Sequence, residues 1–200
     1  MVERTILEQL IHIEDAGLKE KICQYAEIHH YRKNEHLYEI GYIQEKVYII
    51  IDGVLQRYFI DETQEEFTEC FMMERGMVAN SYNIFLKETG FTPSIAAVRS
   101  LTDSYILELP VEDVFLLLQQ SLELSKVYVK YLWESLEYHN EINKHRLQLD
   151  NTQRYQWFCK KWPEVDKIAS NHQISTFLGI RSESLSRLRK RKSESETCAD

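Results

Sequence analysis

The rhythm of apolar positions changes twice along the chain. Ile6, Leu7, Leu10, Ile11 and Ile13 recur at helical spacing as far as Gly17, and a second helical stretch follows from Leu18 to roughly Ile28. The pattern then turns strand-like. Val47-Tyr48-Ile49-Ile50-Ile51, then Asp52-Gly53, then Val54-Leu55-Gln56-Arg57-Tyr58-Phe59-Ile60 read as two β-rich runs joined in a tight hairpin. Further β-prone pieces lie at Phe67 to Met73, Ile95 to Val98 and Tyr105 to Leu109, separated by Gly76, Gly90 and Pro93. Short strands at this spacing predict an antiparallel sandwich or barrel rather than a parallel α/β sheet.

After Pro110 the texture becomes helical. From Val111 to about Leu149 there is no glycine or proline, so one or two helices cover the region. One seam runs Tyr128, Tyr131, Ser135, Tyr138, Ile142, His145, Leu149, and a competing one uses Leu132, Leu136, His139 and Asn143. The pattern leaves open whether this helix packs on its own β-unit or pairs with a second copy. Beyond it, Tyr155 to Trp162 predicts a helix ended by Pro163. A short helix from about His172 to Leu178 follows, with Asn171 as its candidate cap, then a stop at Gly179 and a last helix from Ser182 to Lys192. Helix, glycine turn, helix is the spacing of a helix-turn-helix.

Charge sharpens this division. The net charge of −8 comes from 24 Lys+Arg against 32 Asp+Glu, which taken whole argues against a polyanionic partner. Residues 1–150 hold 14 basic and 26 acidic side chains (net −12), whereas residues 151–200 hold 10 and 6 (net +4). The last quarter is a small basic unit on an acidic body, suited to an anionic partner. Within Arg181 to Lys192, six of twelve residues are basic and one is acidic. Leu185 and Leu188 would dock inward, leaving Ser182, Glu183, Ser186 and Arg187 outward near the helix start. Arg187 suits a bidentate contact to guanine and Glu183 an acceptor role toward cytosine, while Arg189, Lys190, Arg191 and Lys192 suit phosphates. Lys160 and Lys161 beside Trp162 fit either a DNA backbone or an amphipathic packing face.

Other chemistry is sparse. Cys23, Cys70, Cys159 and Cys198 are scattered without a CxxC pair, so reduced thiols are expected and no metal site. Asp61-Glu62 and Glu65-Glu66 read as solvated turn residues. There is no Gly-rich phosphate loop, nucleophile elbow or metalloprotease motif, so neither catalytic residues nor a cofactor are expected. The N-terminus lacks an apolar signal segment and no run of about 18 uncharged apolar residues occurs, which predicts a cytoplasmic protein with no membrane partner.

The order of β-rich unit, long helix and helix-turn-helix resembles the Crp/Fnr family of transcription regulators. The resemblance is most specific at Thr152-Gln153-Arg154-Tyr155, at Ile174-Ser175-Thr176-Phe177-Leu178-Gly179-Ile180 and at Glu183-Ser184-Leu185-Ser186-Arg187. It implies an α+β chain: an antiparallel β jelly-roll (double-stranded β-helix) sensor domain of the cyclic-nucleotide-binding type over 1–120, a long connecting and dimerisation helix over 121–150, and a DNA-binding helix-turn-helix over 151–200. It also implies a homodimer on double-stranded DNA, with RNA polymerase and an unidentified small-molecule effector as candidate further partners.

The sequence departs from that family at the effector pocket. A phosphate cassette running from Gly-Asp through Gly-Glu to Arg-Ser/Thr-Ala falls here on Gly76-Met77, Asn80-Ser81 and Ser94-Ile95-Ala96. A buried phosphate without a paired cation is costly, so ordinary cyclic AMP binding is not expected. Lys87 and Arg99 are candidate substitutes, but nothing in the spacing places them in the pocket. At the recognition helix, Arg181 stands where a Ser or Thr cap is usual, and Ser182 replaces a base-contacting Arg or an N1 Pro. The residues after Lys192 are expected to add no further strand.

Two other classes compete. A cupin-like metalloenzyme would share the barrel but needs a His-x-His with a further Glu and His. The histidines at 12, 29, 30, 36, 139, 145 and 172 offer instead the adjacent pair His29-His30, whose side chains should point to opposite sides of a strand. A protein-interaction module using the long helix without DNA binding is the other.

Overall fold

The computed structural model describes residues 4–43, 45–79 and 93–197, with side chains up to residue 194. Two short helices open the chain, α1 (Arg4–Leu10) and α2 (Ala16–Tyr25). The Asp15 side chain caps α2 by accepting from the Leu18 N–H at 3.0 Å. Helix α2 ends at Tyr25, short of the expected Ile28, which belongs to β1 (Glu27–Tyr31). There follow β2 (His36–Tyr38), β3 (Lys46–Asp52), β4 (Leu55–Ile60), β5 (Glu66–Met72), β6 (Ala97–Ser100) and β7 (Ser104–Pro110). Helices α3 (Val111–Gln120) and α4 (Leu122–Gln148) come next, then α5 (Asn151–Lys161), α6 (Pro163–Ile168), α7 (Asn171–Leu178) and α8 (Ser182–Thr197).

The strands form two antiparallel sheets, one ordered β1-β7-β3 and the other β2-β6-β4-β5, which face each other as a small jelly roll. Here the sequence reading of 47–60 fails. Strand β3 pairs with β7, while β4 pairs with β5 and β6, so Asp52-Gly53 is a corner between sheets and not a hairpin turn. Gly53 has φ +109°, and a Cβ there would lie 2.2 Å from Ser104 Oγ. The glycine thus serves close packing against the start of β7 as well as a left-handed turn.

Alternation along β3 divides the interior. Tyr48 and Ile50 point into the roll with Leu55, Val98 and Ile106. Val47 and Ile49 face the other way, against Leu7, Leu18, Ile22, Leu117 and Leu118 of α1, α2 and α3. The roll's core continues without a break into the C-terminal helices, joining Phe71 to Phe158, Trp162, Phe177 and Leu185.

The expected helical region after Pro110 is two helices, divided at Ser121, whose side chain accepts from the Leu124 N–H. Along α4 the first seam packs within the chain: Ser135 and Ile142 are buried, Tyr138 donates to the Phe71 carbonyl at 2.6 Å and His145 stacks on Trp157 at 4.3 Å. On another face Val129, Trp133 and Leu136 are 63%, 62% and 52% exposed.

Helix α5 stops at Lys161 with Trp162 as its C-cap, directly before Pro163 as expected, and Pro163 also opens α6 as an N-terminal proline. Asn171 is not the cap of α7: Ser170 is, in a capping box with Gln173. Helix α8 runs on past Lys192 to Thr197.

Candidate nucleic-acid interface and sensor

Helix α7 ends at Gly179, in the left-handed region at φ +65° and ψ +39°, with the Ile180 N–H donating to the Ser175 carbonyl at 3.0 Å. This glycine stop turns the chain sharply enough for α8 to start three residues on. The α7–α8 turn is held from behind by two arginines. Arg146 of α4 donates to the Phe177 carbonyl at 2.7 Å, and Arg154 of α5 donates to the Leu149 and Leu178 carbonyls at 3.0 and 2.8 Å. Guanidiniums at the C-terminal carbonyls of a helix also complement its dipole. Arg154 therefore ties the α4–α5 corner to the α7–α8 turn.

Helix α8 has two unlike faces. Leu185 and Leu188, with Arg189 and Lys192, occupy the inward face at i, i+3, i+4 and i+7. Leu185 is fully buried, and Arg189 and Lys192 both reach Asp166 of α6, at 3.1 and 2.9 Å. Arg189 also donates to Asn171 and to the Asp166 carbonyl. Two of the four basic residues expected at phosphates are thus turned inward. The sequence reading separated Leu185 and Leu188 from the basic residues, but 189 and 192 continue the same helical face.

Glu183, Ser186, Arg187 and Lys190 share the outward face at the same spacing and are all exposed, as is Arg191. The Arg187 Nε–H donates to the Glu183 carbonyl at 3.3 Å, within its own helix. Ser182 lies at the helix start with its Oγ 2.9 Å from Ser175 Oγ, where it joins the two helices. Arg181 supplies its carbonyl to the Leu185 N–H at 3.1 Å, so the helix begins without a side-chain cap from that residue.

The α7–α8 helix pair rests directly on the outer face of the β4–β5–β6 sheet. Gln173 of α7 donates to Gln56, which also accepts from Arg99 and donates to Thr68, at 2.8, 2.8 and 2.7 Å. The Thr68 N–H donates to Thr176 Oγ1 at 3.2 Å, and His172 Nε2 lies 3.0 Å from the Glu66 carbonyl. Gln56 and Thr68 are buried, and this network gives each side chain hydrogen-bond partners. No feature of the local pattern singled out Gln56, Thr68 or Gln173, because the contacts that join the sheet to α7 span more than a hundred residues.

Of the expected effector-pocket residues, Gly76, Ser94, Ile95 and Ala96 are among the described ones. Gly76, at φ +85°, sits where a Cβ would meet the Leu10 carbonyl at 2.6 Å, so it serves the packing of the N-terminal helices. Ile95 is 80% exposed, Ala96 is fully buried, and Ser94 Oγ donates to the Ala96 carbonyl at 2.6 Å. Asn80, Ser81 and Lys87 lie outside the described residues. Arg99 is committed on the α7 side of the sheet, ion-paired with Glu66 and 4.6 Å from the Tyr58 ring. Arg57, on the opposite side of β4 from Gln56, is ion-paired with Glu69 at 3.1 Å.

Inside the roll, Tyr38 stacks on Tyr42 and Tyr48 at 5.9 and 5.8 Å, and the Tyr38 hydroxyl donates to the Ala79 carbonyl. Burial raises the Tyr38 and Tyr48 hydroxyls above their ordinary range, so they stay neutral. Glu108, 3% exposed, accepts from Tyr31 and Lys46. His29 lies 3.2 Å from Glu108, while His30 stacks on Tyr105 at the other face of β1. The two histidines therefore diverge, as their adjacency predicted. Burial pushes the Cys70 thiol up to about 12, and Cys23 and Cys70 are both buried and unpaired in disulfides. Among the described residues, no helix is long and apolar enough to cross a membrane.

Two sheets forming a roll, followed by helices, define the class. Residues 28–121 match the cyclic nucleotide-binding domain family, which covers the roll and α3. Over the longer length the fold is similar to that of solved regulators. One is the c-di-GMP-responsive global regulator CLP of Xanthomonas campestris, with a TM-score of 0.71 and 15% identity over 91% of this chain and 93% of that one. Another is FixK2 of Bradyrhizobium japonicum, with a TM-score of 0.70 and 15% identity over 86% of each chain. A third is a putative transcriptional regulator of the crp/fnr family from Eubacterium rectale, with a TM-score of 0.73 and 12% identity over 90% of this chain and 85% of that one. The likeness to these three is one of fold. No curated protein matches the chain.

Proposed function

We propose that the protein is a Crp/Fnr-type transcription regulator that binds double-stranded DNA as a homodimer and reads it with α8. The observation that carries this reading is the outward face of α8, where Glu183, Ser186, Arg187 and Lys190 stand exposed on a helix whose other face is locked to α6 and α7. A recognition helix needs this rigid backing and an unobstructed row of base-reading and phosphate-binding side chains. The exposed Val129, Trp133 and Leu136 on α4 supply the self-complementary stripe along which two copies join. The sensor is not built for cyclic AMP in the usual way: Ser94-Ile95-Ala96 brings no cation, and both Arg57 and Arg99 already have carboxylate partners.

Selection of binding sites from random duplex DNA at moderate salt tests the proposal. The expected product is a palindromic consensus with half-sites about 10–10.5 base pairs apart, or a multiple of that spacing. No enrichment, or equal enrichment by Arg187→Ala, overturns it.

A further inference from the structure

The second core of the protein encloses an apolar cavity of about 390 Å³, partly open to solvent, between α1, α2, the outward faces of β3 and β7, α3 and the first half of α4. It is separate from the roll interior, because Ile49 lines it from one side of β3 while Tyr48 and Ile50 point to the other. We propose that this cavity is a binding site for a small uncharged apolar molecule, and the proposal stands whether or not α8 reads DNA.

Size, wall chemistry and charge balance each support that class of ligand. The volume falls within the ~300–1,000 Å³ typical of small-molecule sites and has room for roughly a dozen non-hydrogen atoms at ~30 Å³ each. The wall is built from side chains such as Leu10, Ile22, Ile49, Leu117, Leu124 and Val127. Closed apolar chambers take up apolar solutes because water finds too few partners inside, and the inner wall of this partly open one offers water equally few. His12 also borders the cavity, and the lysines and carboxylates around it balance each other. Lys126 and Lys130 come from α4, against Asp113 of α3 and Glu134 of α4, and Lys130 lies 3.6 Å from Glu134. The Tyr131 hydroxyl already donates to the Val78 carbonyl at 2.8 Å. No net charge therefore awaits an ionic ligand, and moving an unpaired ion into such a wall is strongly unfavourable.

The test uses the full chain and three probes: the neutral dye Nile red, 1-octanol, and octanoate, which has the same chain length but carries a charge. Saturable binding of one dye per chain is expected, with octanol displacing it at concentrations at least ~10-fold lower than octanoate. In methyl NMR of the native chain, octanol should shift Ile22, Ile49, Leu117 and Val127 and leave Ile50, Val98 and Ile106 in place. Val114→Trp, which fills the cavity, should weaken dye binding at least ~10-fold, while Leu147→Ser, at a position remote from the cavity, should not. Non-saturable binding overturns the proposal, as do equal potency of octanoate, shifts centred on the roll interior, or a folded Val114→Trp that binds like wild type. The methyl experiment needs no variant, so it decides the matter even if Val114→Trp fails to fold.

Discussion

The ring of Phe71 on β5 lies 5.2 Å from that of Phe177 on α7, inclined by 54°, and Phe158 of α5 completes a triangle at 5.9 and 5.6 Å. All three rings are buried to within 1% exposure. One aromatic cluster therefore belongs both to the sensor sheet and to the C-terminal helices. Phe71→Ala is expected to cost about 3–5 kcal/mol. Thermal unfolding of wild type and variant, followed by far-UV circular dichroism and by tryptophan fluorescence, should show a single coincident transition, lower in the variant. Separate transitions for sheet and helices would contradict a shared core.

DNA binding should depend on fewer cations than composition suggests. Of the six basic residues from Arg181 to Lys192, Arg189 and Lys192 are bonded to Asp166, leaving Arg181, Arg187, Lys190 and Arg191. With Arg187 on a base edge and the other three on phosphates in each subunit, a dimer's log–log salt slope should be about −5, at about −0.9 per contact. Anisotropy titrations across salt concentrations measure it. Lys190→Ala should reduce the slope magnitude by about 1 per subunit, and Arg187→Ala should cost about 1–3 kcal/mol on the selected site while sparing stability.

Asp166 should anchor the reading head. Its carboxylate accepts from Tyr155, Arg189 and Lys192 at 3.1, 3.1 and 2.9 Å. Burial alone would raise this carboxyl, but the Lys192 and Arg189 hydrogen bonds and charges outweigh that and hold it below the usual range. A lowered folded value means that its contribution is fully present above the ordinary carboxylate value of about 4 and is lost as pH falls through the folded value. Asp166→Ala should cost about 2–3 kcal/mol, less than the ~3–5 for a fully buried pair because Arg189 and Lys192 are partly exposed. Urea unfolding at pH 7 and below pH ~4 checks both points, since the variant should show a flatter acid dependence.

The inter-sheet corner gives a steric prediction. Gly53→Ala places a Cβ 2.2 Å from Ser104 Oγ and 2.7 Å from Ser104 Cα at a φ of +109°. Backbone strain and overpacking together should cost about 2–5 kcal/mol. Adding Ser104→Gly removes the nearest clash but not the strained φ, so the double variant should recover part of the loss.

Self-association should follow the α4 stripe. Trp133→Glu, at a position 62% exposed, should leave the fold intact and convert a dimer into a monomer in sedimentation velocity. An unchanged sedimentation coefficient would place the interface elsewhere.

The parts of this fold visible in the sequence are those whose signal is local. The runs at 47–60, 67–73 and 105–109 fall on strands, and the glycine between the last two helices falls where α7 stops. Pairing is not local, so Asp52-Gly53 carried the composition of a hairpin while joining strands of different sheets. Strand β1 escaped notice because Glu27 to His30 are exposed, leaving no apolar alternation at a sheet edge. For the proposed DNA interface, local patterning picked out Arg187 and Lys190. It could not separate them from Arg189 and Lys192, whose carboxylate partner lies 23 and 26 residues earlier in another helix.

The arginine bridge from the α4–α5 corner to the end of α7 makes the molecule a measuring device. In a dimer joined along α4, the gap between the two copies of α8 is fixed by side-chain bonds at Arg146 and Arg154, not by a slack connector. Operator spacing is then dictated by how the chain is braced, and loosening either brace should blur which spacings are accepted before it weakens the grip on any one of them.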